Sequence, residues 1–183
     1  MKKTVCVYNL SKEHEQVIES LLAKQNITTV KLNEKLLNQK IGAVAGLPDF
    51  SYEDRPLAES EFDEELLLFA NLSDAEVDQF ADELKKHFRF SGIMAMLTEH
   101  NRNWYFIDFF DEVMKDHRLF KAIDELREEM KNCESADPSK VEDLKKLNDT
   151  LMEAFLYLKA QDYEEKRLLA LSSELRRLRE AVI

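Results

Sequence analysis

Two short segments limit most sharply what this chain can fold into: TVCVYNL at residues 4–10 and ELLLFAN at residues 65–71. In each, apolar residues follow one another without alternation, over a length that suits a strand and not a helix. A strand of that kind is buried on both faces of its sheet, so the sheet needs cover on both sides. Both segments also run into Asn-Leu-Ser, at Asn9–Ser11 and Asn71–Ser73. A serine so placed caps a following helix, and Ser73 with Glu76 spells the S-x-x-E capping box. At the same offset Ile18 aligns with Phe80, Leu22 with Leu84 and Lys24 with Lys86, as one pattern used twice would give. A strand-to-cap junction and a helix core face would also choose these residues, so a structural echo explains them as well as a duplication does.

Two further strands are expected, ITTVKL at 27–32 and GIMAML at 92–97. The chain therefore reads as two right-handed βαβ units in an α+β fold with a sheet of about four strands. Ferredoxin-like interleaving of the units is favoured, with a side-by-side parallel sheet as the alternative. Residues 33–63 carry weaker signals, with a short helix over 34–39 and an irregular stretch through Gly42, Gly46, Pro48 and Pro56.

From Tyr105 onward every signal is helical. One stripe runs through Phe106, Phe110, Val113, Met114, His117, Phe120 and Ile123. NCESADPS at 132–139 interrupts it, and Asp137-Pro138 restarts it as cap and first-turn proline. Val141, Leu144, Leu151, Phe155 and Leu158 form a second stripe, and Leu168, Leu171, Leu175, Leu178 and Val182 a third. The polar stretch from Gln161 to Lys166 fits either a turn or a continuous helix. These helices are expected to cover the second sheet face or to pair with another chain. The organisation is an α/β domain over 1–117 and a helical C-terminal extension over 118–183.

Charge narrows the partners. The chain is 34% charged with a formal net charge of -11. Residues 51–83 hold twelve acidic side chains against one basic, Arg55. Such a surface repels phosphate backbones, so neither nucleic acid nor an anionic membrane is an expected partner. The acidic stretch reads first as a solvated loop and outer helix face, and second as a docking patch for a basic partner. Two cysteines, Cys6 and Cys133, make no disulfide framework, and no segment is apolar over membrane-spanning length. A reduced, cytoplasmic protein is expected.

The motifs that carry chemistry are incomplete. VCVYNL resembles one ribonucleoprotein motif, but its glycine- and aromatic-bearing companion is missing. IGAVAGL at 41–47 has two glycines without the lysine-serine of a phosphate loop, and reads as a bend. Asp108, Glu112 and Asp116 recur one helical turn apart, near His100 and His117, yet no pair has metal-ligand spacing; His14 and His87 lie on other helices. Thr98 and His100 do not make a nucleophile and base, and no G-x-S-x-G occurs. No catalytic residue, cofactor or metal is therefore assigned, and the enzyme reading has no specific support.

LTEHNRNW at 97–104 has more to offer, since polar turns at the carboxyl end of a strand are where α/β sheets hold ligands. Thr98 and Asn101 could offer hydrogen bonds, Arg102 could hold an anion and Trp104 could form a wall. The competing reading is a helix cap with Trp104 packed beneath it. ELLLFANLSDAEVDQFADELKKH, AMLTEHNRNW and DEVMKDH together resemble a bacterial family, domain of unknown function 3783. Its members carry L-T-x-x-N-x-x-W after the last strand and a helix ending in an acidic residue and His, here Asp116-His117. The resemblance covers 64–117 well and 4–47 loosely, and implies a small α/β domain with no established activity. The functional expectation is a non-catalytic regulatory or interaction module that meets a protein partner, or itself, through the C-terminal helices. The alternative is a small-ligand or metal site at the 97–104 turn.

Overall fold

The computed structural model describes residues 2–59, 62–138 and 141–181. They form two compact units, Met1–Val113 and Met114–Ile183.

The first unit holds strands β1 (Thr4–Tyr8), β2 (Thr28–Lys31), β3 (Leu66–Ala70) and β4 (Ile93–Met96). Helix α1 (Lys12–Lys24) joins β1 to β2 and α4 (Asp74–Lys85) joins β3 to β4. The sheet order is β2-β1-β3-β4. β1 is parallel to β2 and β3 to β4, whereas the central β1–β3 pair is antiparallel. This corrects the ferredoxin-like expectation, and the sheet is mixed, not parallel throughout. Each βαβ unit pairs its own two strands directly, which leaves no gap for the other unit to enter, and the halves join side by side through their first strands.

The register explains the repeated Asn-Leu-Ser. Cys6 lies opposite Leu68, and these are the residues that the offset between the two motifs equates. Val5 faces Phe69 and Val7 faces Leu67, so an approximate two-fold axis between Cys6 and Leu68 exchanges the halves. Asn9 and Asn71 both adopt left-handed backbone, with φ of 51° and 61°. Asparagine tolerates that conformation better than most residues. Asn9 Nδ2 donates to the Asp63 carbonyl and Asn71 Nδ2 to the Lys2 carbonyl, each at 2.9 Å. Each repeat thus ties its turn to the chain entering the other half.

Side chains alternate across the strands. Val5, Val7, Leu67 and Phe69 pack with Ile18, Leu21, Leu22, Phe80 and Leu84 of α1 and α4. The opposite face buries Cys6, Leu66, Leu68 and Ala70. Within the first unit its cover comes from α2 (Glu34–Leu37), α3 (Ile41–Val44) and the first turns of α5 (Phe106–Glu134), with Leu37, Ile41, Phe106 and Phe110 fully buried. Tyr8 of β1 meets Phe110 there at 5.0 Å between ring centres. Ile41 donates to the Trp104 carbonyl and Phe106 to the Gln39 carbonyl, which fixes α3 against the start of α5. IGAVAGL is accordingly a short helix that ends at Gly46 (φ 75°), and not a simple bend.

The second unit contains the remainder of α5 with α6 (Leu144–Ala160) and α7 (Glu165–Glu180), around its own core. Asp143 caps α6 through the Lys146 amide at 2.9 Å, so the helix restarts later than Asp137-Pro138. Gln161, at φ 58°, ends α6, and Tyr157 and Tyr163 bond the turn that follows, so the chain does turn before Lys166. Leu168, Leu171, Leu175 and Leu178 are buried as the spacing predicts, while Val182 lies outside the described residues. Glu129, 7% exposed, accepts from Arg176 and Arg179 and links α5 to α7.

The stripes expected on α5 and α6 need correction. On α5, Phe120 is 64% exposed. On α6 the buried face is Leu147, Thr150 and Ala154, whereas Leu144 and Phe155 of the expected stripe are exposed. At about 100° per residue, apolar side chains cover more than half the circumference of α6. Periodicity alone could not choose which part is covered.

Candidate functional site

Because β3 and β4 are parallel, their carboxyl ends lie at one edge of the sheet, where Asn71–Ser73 and Leu97–Arg102 leave it. A cleft of about 390 Å³ opens there, lined by Asn71, Leu72, Leu97, Thr98, Glu99, Arg102 and the stretch Leu47–Phe50. A second cleft of about 380 Å³ is lined by Lys40, Asp49, Phe50, Ser51, Glu53, Arg102 and Asn103. Asp49, Phe50 and Arg102 stand in both walls. Gly42 makes room for Phe50, since a Cβ at that position would meet its ring at 2.8 Å.

The four candidates from the 97–104 turn have different fates. Thr98 N–H donates to Asn101 Oδ1 at 2.8 Å, and Asn101 N–H donates to Thr98 Oγ1 at 3.2 Å. Asn101 Nδ2 donates to the Met96 carbonyl at 2.9 Å. Both side chains thus spend hydrogen bonds on the backbone, closing the exit from β4 and starting the 3₁₀ turn Asn101–Asn103. Trp104 lines neither cleft; its ring meets His100 edge-on at 5.2 Å and its carbonyl receives the Ile41 amide. Of the four, Arg102 alone lines both clefts, and the Asp49 carboxylate shares both walls with it. Arg102 pairs with Glu99 at 2.7 Å, but Glu99 is 83% exposed, and ion pairs this exposed contribute about 1 kcal/mol or less.

Sequence reasoning missed the group beside Arg102. Glu53 accepts from Lys40 at 2.7 Å and from the Tyr105 hydroxyl at 2.8 Å. Lys40 first, then Tyr105, hold the Glu53 carboxyl below its ordinary range, and Glu53 raises Lys40 in return. Arg55 stacks over the Tyr105 ring at 3.9 Å. Buried Gln39 clamps the backbone of Glu53 at both ends of its amide, 2.9 Å and 2.7 Å. Asn38 Nδ2 holds the Pro56 carbonyl at 2.9 Å, and Ala58 donates to Glu34 at 2.9 Å. These contacts pin the acidic loop 49–59. Its partners are far apart along the chain, so no local pattern announced them.

Among the described residues no group of three or more His, Cys, Asp or Glu side chains is placed to hold a metal ion. His14 is engaged elsewhere, bonded to Glu65 and stacked on Phe88 at 3.9 Å. No helix of the described residues is long and apolar enough to cross a membrane.

Residues 65–120 match the family model described as Domain of unknown function (DUF3783), the family that the Leu97-Thr98, Asn101 and Trp104 pattern resembles. The match runs through β3, α4, β4, the 97–104 turn and the first half of α5. No curated protein and no solved structure matches the chain.

Proposed function

We propose that this chain is a protein-interaction module that docks a partner on the outer face of α6. The observation that carries the reading is the exposure of Met152, Phe155 and Leu156, at 59%, 55% and 56%, on one side of a helix whose other side is core. Three large apolar side chains at i, i+3 and i+4 form the stripe by which a helix docks against another surface. Contiguous apolar patches on a surface mark interaction sites more often than scattered single residues do. Two free, buried cysteines suit a reducing compartment such as the cytoplasm.

A photoreactive phenylalanine analogue placed at Met152 of the full chain tests this. Irradiation in the producing cells should give a discrete covalent protein adduct, lost with Leu156→Glu and absent when the analogue is placed at exposed Lys166. No adduct at Met152 overturns the reading.

A second reading, a small-ligand site, is favoured by the position of Arg102 between two clefts at the carboxyl ends of β3 and β4, where α/β sheets hold ligands. Trp104, the sole tryptophan, lies close in sequence to Arg102 and gives a fluorescence readout. A panel of small carboxylates and phosphates should shift its emission in the full chain and lose that effect with Arg102→Gln. No response to any of them rules this reading out.

A further inference from the structure

The inference rests on α6 being a docking face and concerns what occupies it. We propose that the occupant is a second copy of this chain, which seats the acidic loop 52–57 on the outer face of α6. On the helical wheel Lys145 and Lys159 fall among Leu144, Met152, Phe155 and Leu156, while Asp149 and Glu153 lie past the edge of that stripe. Neither lysine is ion-paired among the described residues, so the apolar face carries two uncompensated positive charges.

That charge acts against the simplest homodimer. Packing α6 against α6 of another copy in antiparallel register about Met152 sets Lys145 opposite Lys159, and parallel packing sets each lysine beside its own equivalent. Like charges brought together at an apolar interface act against it. The fitting surface is apolar with acidic flanks, and this chain builds one. Tyr52 and Leu57 are 58% and 62% exposed, and Asp54 and Glu59 beside them are exposed as well, while the one cation between them, Arg55, is drawn onto the Tyr105 ring and donates to Asn38.

The loop is also held ready. Gln39, Asn38 and the Glu34 carbonyl fix the backbone at Glu53, Pro56 and Ala58, so Tyr52 and Leu57 project from a set frame. A segment already in place loses less entropy on docking. Loop and helix are different surfaces, and the proposed dimer exchanges them reciprocally between two copies.

Paired charge reversal tests the assignment on the purified full chain. Lys145→Glu with Lys159→Glu makes the helix acidic, and Asp54→Lys with Glu59→Lys makes the loop basic. In light scattering at low salt, the wild-type chain should show twice the monomer mass. Each reversed variant alone should be monomeric, since helix and loop then carry the same sign. A mixture of the two variants should recover the doubled mass, because both contacts become complementary. All four positions are exposed, and far-UV circular dichroism checks that the variants fold. A monomeric wild type, a dimer indifferent to the reversals, or a mixture that stays monomeric would each overturn the proposal. An adduct from Met152 to a different protein would do so too, while leaving α6 as a docking face.

Discussion

Glu65 and His14 Nδ1 lie within hydrogen-bond distance at 2.7 Å in the first unit, and Lys3 and Glu76 form the counterpart contact with the acidic and basic residues exchanged. The approximate two-fold axis relates Lys3 to Glu65 and His14 to Glu76. In each half, the residue ahead of a central strand reaches the third residue of the other half's helix. The reversal has a structural reason. In α4, Glu76 accepts from the Ser73 amide at 3.0 Å and completes the capping box itself. In α1 the same position is His14, and Glu65 supplies the missing acceptor to the Ser11 amide at 2.7 Å.

Glu65→Ala should therefore uncap α1 from a distance. The loss removes the acceptor for Ser11 and the partner of His14, with an expected cost of about 1 kcal/mol, the usual size of an N-cap deletion. Glu65→Gln keeps an acceptor and should recover part of that. Urea denaturation of the three proteins gives the order; equal midpoints for wild type and Glu65→Ala would show that the distant cap contributes nothing.

Two carboxylates set the expected acid response. Lys3 and then the Ser73 amide hold Glu76 down to about 2, from an ordinary 4.5. Arg177 and then Lys146 do the same to Glu174, also to about 2. A carboxyl whose folded pKa is lowered contributes stability in full above its ordinary value, and loses it as pH falls through the folded value. Stability should thus decline between about pH 4.5 and pH 2. Glu76→Gln and Glu174→Gln should each flatten that decline, and added salt should shrink the difference because both carboxylates are partly open to solvent. Thermal melts across this window measure it.

Asn101 distinguishes a structural turn from a binding turn. Asn101→Ala removes the acceptor for the Thr98 amide and the donor to the Met96 carbonyl. Two polar groups lose their partners in a half-buried place, and a cost of about 2 kcal/mol is expected. Asn101→Asp keeps the acceptor and loses the donor, so it should fall between. A melting temperature unchanged by Asn101→Ala would mean that the turn does not depend on these bonds.

The two halves were legible in the sequence because the signals were local. TVCVYNL and ELLLFAN declared buried strands, and the serine of Asn-Leu-Ser declared a cap. The join between halves was not legible, since nothing within either βαβ unit says whether its first strand pairs parallel or antiparallel with its equivalent. The repeat offset, taken with the register, shows the symmetry only after the pairing is known. On α6 the sequence carried too much apolar surface to reveal which face was core. In the 97–104 turn it gave the residues that form the turn but not the loop 47–53 opposite Arg102, whose placement depends on Gln39, Lys40 and Tyr105.

Gln39 is the residue whose loss should separate fold from association. Its amide donates to the Glu53 carbonyl and accepts from the Glu53 amide, and the side chain is 2% exposed. Gln39→Ala leaves the sheet and both helix layers with their own contacts, but frees the backbone that presents Tyr52 and Leu57. Leaving buried backbone groups unpaired costs about 1–3 kcal/mol, most of which local opening of the loop can relieve by admitting water. Hydrogen exchange should therefore speed up at Glu53 and its neighbours, and remain slow in β1 and β3. If loop 52–57 docks on α6 of a second copy, the same variant should weaken the dimer although every docking side chain is intact, because ordering the loop then opposes binding. Fast exchange throughout the sheet would instead mean that Gln39 supports the whole first unit, and an unchanged exchange rate at Glu53 would mean that the clamp does not hold the loop.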